Sequence, residues 1–199
     1  MQRFQHIDAL AFPMDRPNVD TDQILPARFL QKPRNGGFGQ YLFHDLRFAP
    51  DGSQYLGFLL NQEAYRESRV VVGSENFGCG SSRENAVWAL YDYGFRVAIA
   101  PSFGDIFANN CLKNGVLPIR LPREVVSRLL VQIEQRQGLK VDVDLASQKV
   151  TLPDGSVHTF DVDPFAKHCL LNGLDELDYT LSHTDEIVAF ERRYGRGFD

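Results

Sequence analysis

Residues 69–119, RVVVGSENFGCGSSRENAVWALYDYGFRVAIAPSFGDIFANNCLKNGVLPI, decide the fold class of this chain. The stretch alternates short apolar runs with longer segments of helical spacing. We predict strands at 69–72, 96–100 and 116–119, helices at 81–93 and 102–113, and a glycine-rich loop after the first strand. Strands that alternate with helices are typical of a parallel sheet covered by helices, so the sequence predicts an α/β fold.

The flanking sequence extends this core on both sides. We predict a strand at 7–12, a helix at 122–137, a small antiparallel β meander within 138–160, and helices from 164 to 173 and from 184 to 193. The chain has 199 residues, so we expect residues 1–199 to form a single domain.

One segment interrupts the regular pattern. Residues 31–39, QKPRNGGFG, contain three glycines and a proline and have no hydrophobic period. We therefore expect a flexible loop there.

The composition disfavours several classes of function. The chain has 21 Lys and Arg against 26 Asp and Glu, a formal net charge of −5, and lacks the basic cluster of a nucleic-acid-binding protein. No stretch approaches the ~18 apolar residues of a membrane span, and the N-terminus lacks a signal-peptide pattern. Three scattered cysteines (Cys79, Cys111 and Cys169) indicate reduced thiols in the cytoplasm and no metal or iron–sulfur site on this chain alone.

The glycine-rich loop, within residues 73–84, carries the strongest functional signal. A loop of this kind between a strand and a helix directs backbone N–H groups towards an anion. It differs from a phosphate-binding P-loop because Cys79 follows the second glycine, where that motif needs lysine. Arg83 stands where a dinucleotide-binding fingerprint needs a small residue, and the Gly-x-Ser-x-Gly pattern of a hydrolase elbow is missing.

Two interpretations of this loop remain open. Ser81 and Glu84 have the spacing of a capping box, in which the serine caps the helix and the glutamate returns the hydrogen bond. Arg83 does not suit such a structural role, because a cation in the first helical turn costs about 0.3 kcal/mol or more against the helix dipole. A bound carboxylate would reverse that cost and would match the guanidinium fork. The loop therefore predicts a capped helix start or a carboxylate site.

Two motifs relate the chain to a known family. NVDTDQI at 18–24 and FGCGSSRE at 77–84 resemble the 3-isopropylmalate dehydratase small-subunit family of the aconitase superfamily. The resemblance covers most of the chain and includes YGF at 93–95, APSF at 100–103 and HCLLNGLD at 168–175. It implies a swivelling β/β/α domain like the last domain of aconitase, with a parallel-sheet core and a small antiparallel appendage.

The resemblance also implies an activity and a partner. Members of this family isomerise 2-isopropylmalate to 3-isopropylmalate by dehydration and rehydration through 2-isopropylmaleate, a step of leucine biosynthesis. Such a hydro-lyase subunit is active only with a separate large subunit, which holds a 4Fe–4S cluster. The expected partners are thus that large subunit and a small dicarboxylate substrate, and this chain is expected to bind no cofactor itself.

By the same resemblance, three residues are expected to be catalytic. Ser81 corresponds to the general base, Arg83 to the clamp on the substrate carboxylate and Asp22 to an active-site aspartate. We assign substrate binding also to Gly80, Ser82 and Thr21. Structural alternatives stay open, because Asp and Thr residues in a loop commonly cap turns and a serine near a helix start can be a simple end hydroxyl.

Substrate selection is expected to depend on Arg28, Phe29, Leu30 and the loop at 31–39. Phe29 and Leu30 offer apolar surface to an isopropyl group, although packing in the core is an equally common role. An apolar pocket separates substrates that differ by one methylene by only ~1–3 kcal/mol. A related hydro-lyase of the citraconate or methylmalate type therefore stays an alternative. Arg28 and Arg34 leave open a homoaconitate-type substrate with a further carboxylate. A non-catalytic carboxylate-binding module is the remaining alternative.

Overall fold

One sheet of seven strands organises the part of the chain that the computed structural model describes, residues 1–81 and 83–194. The strands are β1 (Ile7–Met14), β2 (Val70–Gly73), β3 (Val97–Ala100), β4 (Leu117–Arg120), β5 (Lys140–Asp144), β6 (Lys149–Thr151) and β7 (Val157–Thr159). Their order across the sheet is β4-β3-β2-β1-β5-β6-β7. Pairing is parallel from β1 to β4 and antiparallel from β1 through β5 and β6 to β7. The predicted α/β fold with a parallel core and antiparallel strands beside it is confirmed.

Eight helices accompany this sheet in the described residues. They are α1 (Thr21–Ile24), α2 (His44–Arg47), α3 (Glu84–Tyr93), α4 (Asp105–Lys113), α5 (Arg123–Gln135), α6 (Pro164–Asn172), α7 (Glu176–Ser182) and α8 (Thr184–Tyr194). Five short 3-10 turns complete the regular structure, at Ala27–Phe29, Arg34–Gly36, Gly39–Tyr41, Leu59–Asn61 and Glu63–Tyr65. None of the described helices is long and apolar enough to cross a membrane.

The burial of the strands follows from their place in the sheet. All four residues of β2 and all four of β3 are buried, as expected of central parallel strands whose two faces are both covered. In β5 the buried valines alternate with polar residues, which is the pattern of a strand with one face towards water. The apolar run at 70–72 and the alternation at 140–144 thus reflect two different environments within one sheet.

Two helices begin later than their sequence patterns predict. The helix predicted from residue 81 begins at Glu84, because Arg83 has an extended backbone with φ −135° and ψ 118°. The helix predicted from residue 102 begins at Asp105, because the chain at Phe103 pairs with Phe77 in an isolated parallel bridge.

The loops after β1 and β2 lie side by side, because parallel strands place their carboxyl ends at one edge of the sheet. Backbone hydrogen bonds connect the two loops. The N–H of Gly78 donates to the Val19 carbonyl at 2.7 Å, and the N–H of Thr21 donates to the Cys79 carbonyl at 3.1 Å. Gly78 has φ +73°, and a Cβ there would overlap the ring of Phe107. Only glycine fits this position, so the loop can approach α4 closely.

The contact between Gly104 and the glycine-rich loop gives a first prediction. A Cβ on Gly104 would lie 2.6 Å from the carbonyl oxygen of Gly78, so Gly104→Ala must push the loop away. We expect a loss of about 1–3 kcal/mol in the free energy of unfolding, the usual cost of overpacking, measured by urea denaturation.

Gly57→Ala is the matched control, because a Cβ at Gly57 has no neighbour within 4 Å. It should leave the stability unchanged or raise it by about 0.4–1 kcal/mol through the unfolded chain. Equal stability of the Gly104 and Gly57 variants would contradict the tight contact.

Candidate active site

The candidate site lies at the carboxyl edge of β1 and β2, where the short helix α1 meets the glycine-rich loop. Asp20 caps α1: its Oδ1 accepts from the Gln23 N–H at 2.7 Å, and the Gln23 Oε1 accepts from the Asp20 N–H at 3.3 Å. This reciprocal pair is a capping box. Asp20 thus caps α1, and this cap fixes where Thr21 and Asp22 lie.

Thr21 connects α1 to the glycine-rich loop. Its side chain is buried, and its hydroxyl donates to the backbone carbonyl of Ser81 at 2.7 Å. A buried hydroxyl with a short hydrogen bond holds its partner in one place. Thr21 therefore positions the backbone of Ser81.

Ser81 itself is exposed at the end of the loop. The capping box that its spacing suggested does not form, because the N-cap position of α3 is Arg83 and no side chain caps that helix start. Gly80, next to Ser81, has φ +86°, and a Cβ there would lie 3.3 Å from the Cβ of Asp20. The serine hydroxyl is thus not used as a helix cap, and the backbone around it is held by neighbouring loops.

Arg83 and Asp22 form an ion pair across the two loops. The Arg83 Nη1 donates to Asp22 Oδ1, which also accepts from the N–H of Ala27 at 3.2 Å. The Arg83 side chain is 23% exposed and that of Asp22 is 51% exposed, so a small anion could reach the pair. A guanidinium has five N–H donors, and the contact with Asp22 leaves several of them for a carboxylate.

Ser82, the remaining predicted substrate contact in this loop, lies outside the described residues. Its assignment stays a prediction.

Arg28 is held by contacts within the chain. It donates through Nη1 to Asp45 Oδ2 at 2.8 Å and through Nη2 to the other carboxylate oxygen, and His44 Nδ1 lies 3.1 Å from Nη2. The hydrogen bond from Arg28 lowers the pKa of Asp45 to about 2, so this carboxylate is charged at neutral pH. Asp45 thus neutralises the charge of Arg28. The pairing was missed in the sequence, because residues 17 positions apart carry no local signal of contact.

Phe29 and Leu30 follow Arg28 in a short 3-10 turn and the residue after it. Phe29 stacks on Tyr41 with ring centroids 4.3 Å apart and planes 15° apart. Both Phe29 and Leu30 are partly buried and pack against the core. The core and Tyr41 hold these two side chains in place. Their exposed parts therefore form a preformed apolar surface that suits contact with an alkyl group.

Metal ligands are scarce in this part of the molecule. Among residues 1–81 and 83–194, no group of three or more His, Cys, Asp or Glu side chains could hold a metal ion. The free cysteines are Cys79, Cys111 and Cys169, of which the last two are buried. The donor set at the candidate site, a serine, an arginine and an aspartate, suits an organic carboxylate better than a metal.

The pKa of the Cys79 thiol depends on the charge and burial around the glycine-rich loop. Partial burial and the nearby charge of Asp20 raise the pKa of its thiol above the ordinary value. We therefore expect iodoacetamide to label Cys79 at pH 7.5 more slowly than it labels free cysteine, because less thiolate is present. Asp20→Asn keeps an oxygen for the cap of α1 but removes the charge, so it should lower the pKa of the Cys79 thiol and raise its labelling rate. Mass spectrometry of the peptide that contains Cys79 measures this rate.

The control for this experiment is Asp185→Asn on α8, which removes a charge from a different helix. It should leave the labelling rate unchanged. The same rate for the Asp20 and Asp185 variants would contradict the influence of Asp20 on Cys79.

Comparison with known proteins gives consistent matches. A family model described as Aconitase C-terminal domain matches residues 1–124, and one described as LeuD_N matches residues 127–164. The 3-isopropylmalate dehydratase small subunit of Paramagnetospirillum magneticum is 50% identical over 191 residues, which cover 96% of this chain and 95% of that protein. The protein of the same description from Brevibacillus brevis is 51% identical over 181 residues, or 91% of this chain and 93% of its own.

A solved structure agrees in fold. The crystal structure of a 3-isopropylmalate dehydratase from Methanocaldococcus jannaschii matches with a TM-score of 0.67 and 24% sequence identity. The match covers 94% of this chain and 99% of that one. At this identity it bears on the fold alone.

Proposed function

The chain belongs to the family of 3-isopropylmalate dehydratase small subunits in the aconitase superfamily, and from this premise we propose how its residues form part of an active site. Members of this family are small subunits of a hydro-lyase and act together with a large subunit. Its reaction interconverts 2-isopropylmalate and 3-isopropylmalate through 2-isopropylmaleate, in leucine biosynthesis. The observation that carries the proposal is the Arg83–Asp22 ion pair beside the exposed Ser81.

Ser81 is the proposed general base of this chain. Its hydroxyl oxygen would take the proton from the carbon next to the substrate carboxylate during dehydration, and would return it during rehydration. A serine hydroxyl is a weak base, so its deprotonated form needs nearby positive charge. The guanidinium of Arg83, two residues away, supplies such a charge, and the Thr21 hydroxyl holds the Ser81 carbonyl in place.

Arg83 is the proposed clamp on a substrate carboxylate. Binding would add a charge-assisted fork of hydrogen bonds to the contact that Arg83 already makes with Asp22. Asp22 orients the guanidinium, since its Oδ1 is itself fixed by the Ala27 N–H. Gly80 and Ser82 are proposed as further substrate contacts, and Thr21 as a positioning residue.

The alkyl side of the substrate is proposed to face Phe29 and Leu30. Arg28, on the same turn, is neutralised by Asp45 and would offer the substrate little net charge. An apolar surface without an unpaired cation favours an isopropyl group over a further carboxylate. This supports 2-isopropylmalate over a homoaconitate-type substrate.

The 4Fe–4S cluster that the family uses is proposed to be held by a second chain. The described residues provide no set of cysteines that could hold a 4Fe–4S cluster, and Ser81 and Asp22 lie at an exposed surface. We therefore place the cluster and the opposite wall of the site on the large subunit. This chain contributes proton transfer and carboxylate binding. The three free cysteines suit a cytoplasmic location for the complex.

The test is to mix the purified chain with an anaerobically reconstituted large subunit and to follow 2-isopropylmaleate by its ultraviolet absorbance. Turnover is expected only in the mixture and with a preference for 2-isopropylmaleate over citraconate. A preference for citraconate would transfer the chain to a sister reaction. A formed complex with an intact cluster and no turnover would favour a non-catalytic carboxylate-binding module.

Substitution of Ser81 tests the proposed base directly. Ser81→Ala should lower kcat by about 10²–10⁴-fold, the usual contribution of a general base, and should change KM little. Ser147→Ala, in the turn between β5 and β6, is the matched control and should keep full activity. A Ser81→Ala enzyme with at least a third of the wild-type kcat would exclude the serine as the base.

Substitution of Arg83 tests the clamp. Arg83→Lys keeps the charge and loses the planar fork, so KM should rise by about tenfold or more, equivalent to about 1.4 kcal/mol or more of binding energy. Steady-state kinetics over a range of 2-isopropylmaleate concentrations measures this change. An unchanged KM would show that Arg83 does not bind the substrate.

A further inference from the structure

Three residues on α3 form one stripe that begins beside the candidate site. Glu84, Trp88 and Asp92 are spaced by four residues, which places them on one face of the helix. Arg83, the proposed carboxylate clamp, is the N-cap residue of the same helix. Whatever packs on this stripe is therefore held at a fixed distance from Arg83.

The segment at 31–39 packs on this stripe. Asp92 accepts through Oδ2 from the backbone N–H of Phe38 at 2.8 Å, and its Oδ1 lies 3.7 Å from Nη2 of Arg34. One carboxylate thus binds both ends of the stretch from Arg34 to Phe38. The hydrogen bond from Phe38 is charge-assisted, so its loss costs more than that of an ordinary backbone hydrogen bond.

Trp88 is the second anchor. The guanidinium carbon of Arg34 lies 4.5 Å from the centroid of the indole ring, and the ring of Phe38 lies 5.8 Å from it at 64°. The indole is held in place, because its Nε1 donates to Asn114 Oδ1 at 2.9 Å and the Asn114 amide donates to Glu84 at 2.9 Å. Glu84, Trp88 and Asp92 therefore all help to hold the segment at 31–39 against α3.

Gly39 is the third anchor and marks where the segment touches the helix backbone. A Cβ at this position would lie 2.6 Å from the backbone nitrogen of Tyr93. Gly37, two residues earlier, has no atom within 4 Å of its ideal Cβ position. The stretch between the anchors is thus open on its outer side and fixed at its two ends.

We propose that Asp92 and Trp88 are positioning residues for substrate selection, holding the 31–39 segment against the helix that carries Arg83. The inference rests on the proposed function, in which Arg83 binds a carboxylate and the alkyl group faces Phe29 and Leu30, which the segment directly follows in the chain. The ring of Phe38 meets that of Tyr41 with centroids 6.2 Å apart, and Phe29 stacks on Tyr41. The anchors on α3 therefore also help to fix where the alkyl surface lies relative to Arg83. Loss of an anchor frees the segment and weakens the alkyl contact without removing any group that takes part in proton transfer.

The experiment compares Asp92→Ala and Asp92→Asn in the reconstituted complex. Asp92→Ala removes the acceptor of the Phe38 N–H and should raise KM for 2-isopropylmaleate by about tenfold, the effect expected for one charge-assisted hydrogen bond. The KM for citraconate, whose alkyl group is shorter, should rise less, and kcat should stay within about twofold, since Ser81 is untouched. Asp92→Asn keeps an acceptor for the N–H and should recover most of the selectivity.

Hydrogen exchange of the free chain gives a second, activity-independent readout. Exchange at residues 34–38 should become faster in Asp92→Ala, while exchange in β2 and β3 stays as in the wild type. Asp105→Asn, which removes an exposed carboxylate from the first turn of α4, is the control and should match the wild type in both assays.

The outcomes separate the two proposals. No turnover by the wild-type complex, with its cluster intact, would overturn the proposed function, and the selectivity inference would fall with it whatever the exchange data show. With an active wild type, an unchanged ratio of the two KM values in Asp92→Ala would overturn the positioning role. A global loss of exchange protection would assign Asp92 to stability alone and would overturn its positioning role. Trp88→Phe keeps an aromatic ring for Arg34 and loses the Nε1 hydrogen bond to Asn114. An unchanged ratio of the two KM values in that variant would overturn the positioning role of Trp88.

Discussion

The candidate site depends on the parallel pairing of β1 with β2. Parallel strands end at the same edge of a sheet, so the loops that leave them must run side by side. Here the two loops share hydrogen bonds, from Gly78 to Val19 and from Thr21 to Cys79, as two strands would. The ion pair of Arg83 with Asp22 and the place of Ser81 follow from that shared backbone. A change in strand register would separate all three groups at once.

Charge around the site is arranged in pairs whose members come from different parts of the chain. Arg83 contacts Asp22, Arg28 contacts Asp45, and Arg34 lies near Asp92. Each aspartate orients an arginine and lowers the local excess of positive charge. Because a guanidinium has more donors than one carboxylate can use, such pairs can orient a cation and still leave it able to bind a ligand. The three pairs have different roles. Arg83, held by Asp22, is proposed to bind the substrate carboxylate. Asp45 neutralises Arg28, and Asp92 anchors the segment at 31–39 that contains Arg34.

The core could be predicted from sequence because its signals are local. The apolar run at 70–72 and the helical spacing before Gly94 are visible within a short window, and the structure has a strand and a helix there. The start of α3 could not be predicted, because Arg83 is extended and the Ser81 carbonyl accepts a hydrogen bond from Thr21, 60 residues earlier in the chain. Helices α1 and α2, with four residues each, are too short to show a period. The motif residues of the site were identified by resemblance, whereas the partners Asp45 and Asp92 became visible only when the chain was folded.

The position of β1 has a consequence for how the chain is made. Among the seven strands described, β1 comes first in the sequence, yet it lies in the middle of the sheet, between β2 and β5. One of its edges cannot be paired until β2 at residues 70–73 has been synthesised, and the other waits for β5 at residues 140–144. During translation the nascent chain therefore carries an open, largely apolar strand edge, the kind of surface that chaperones bind and that aggregates when left exposed. Of the described antiparallel strands only β5 pairs with β1, so both edges of β1 are covered only after residues 140–144 have been synthesised.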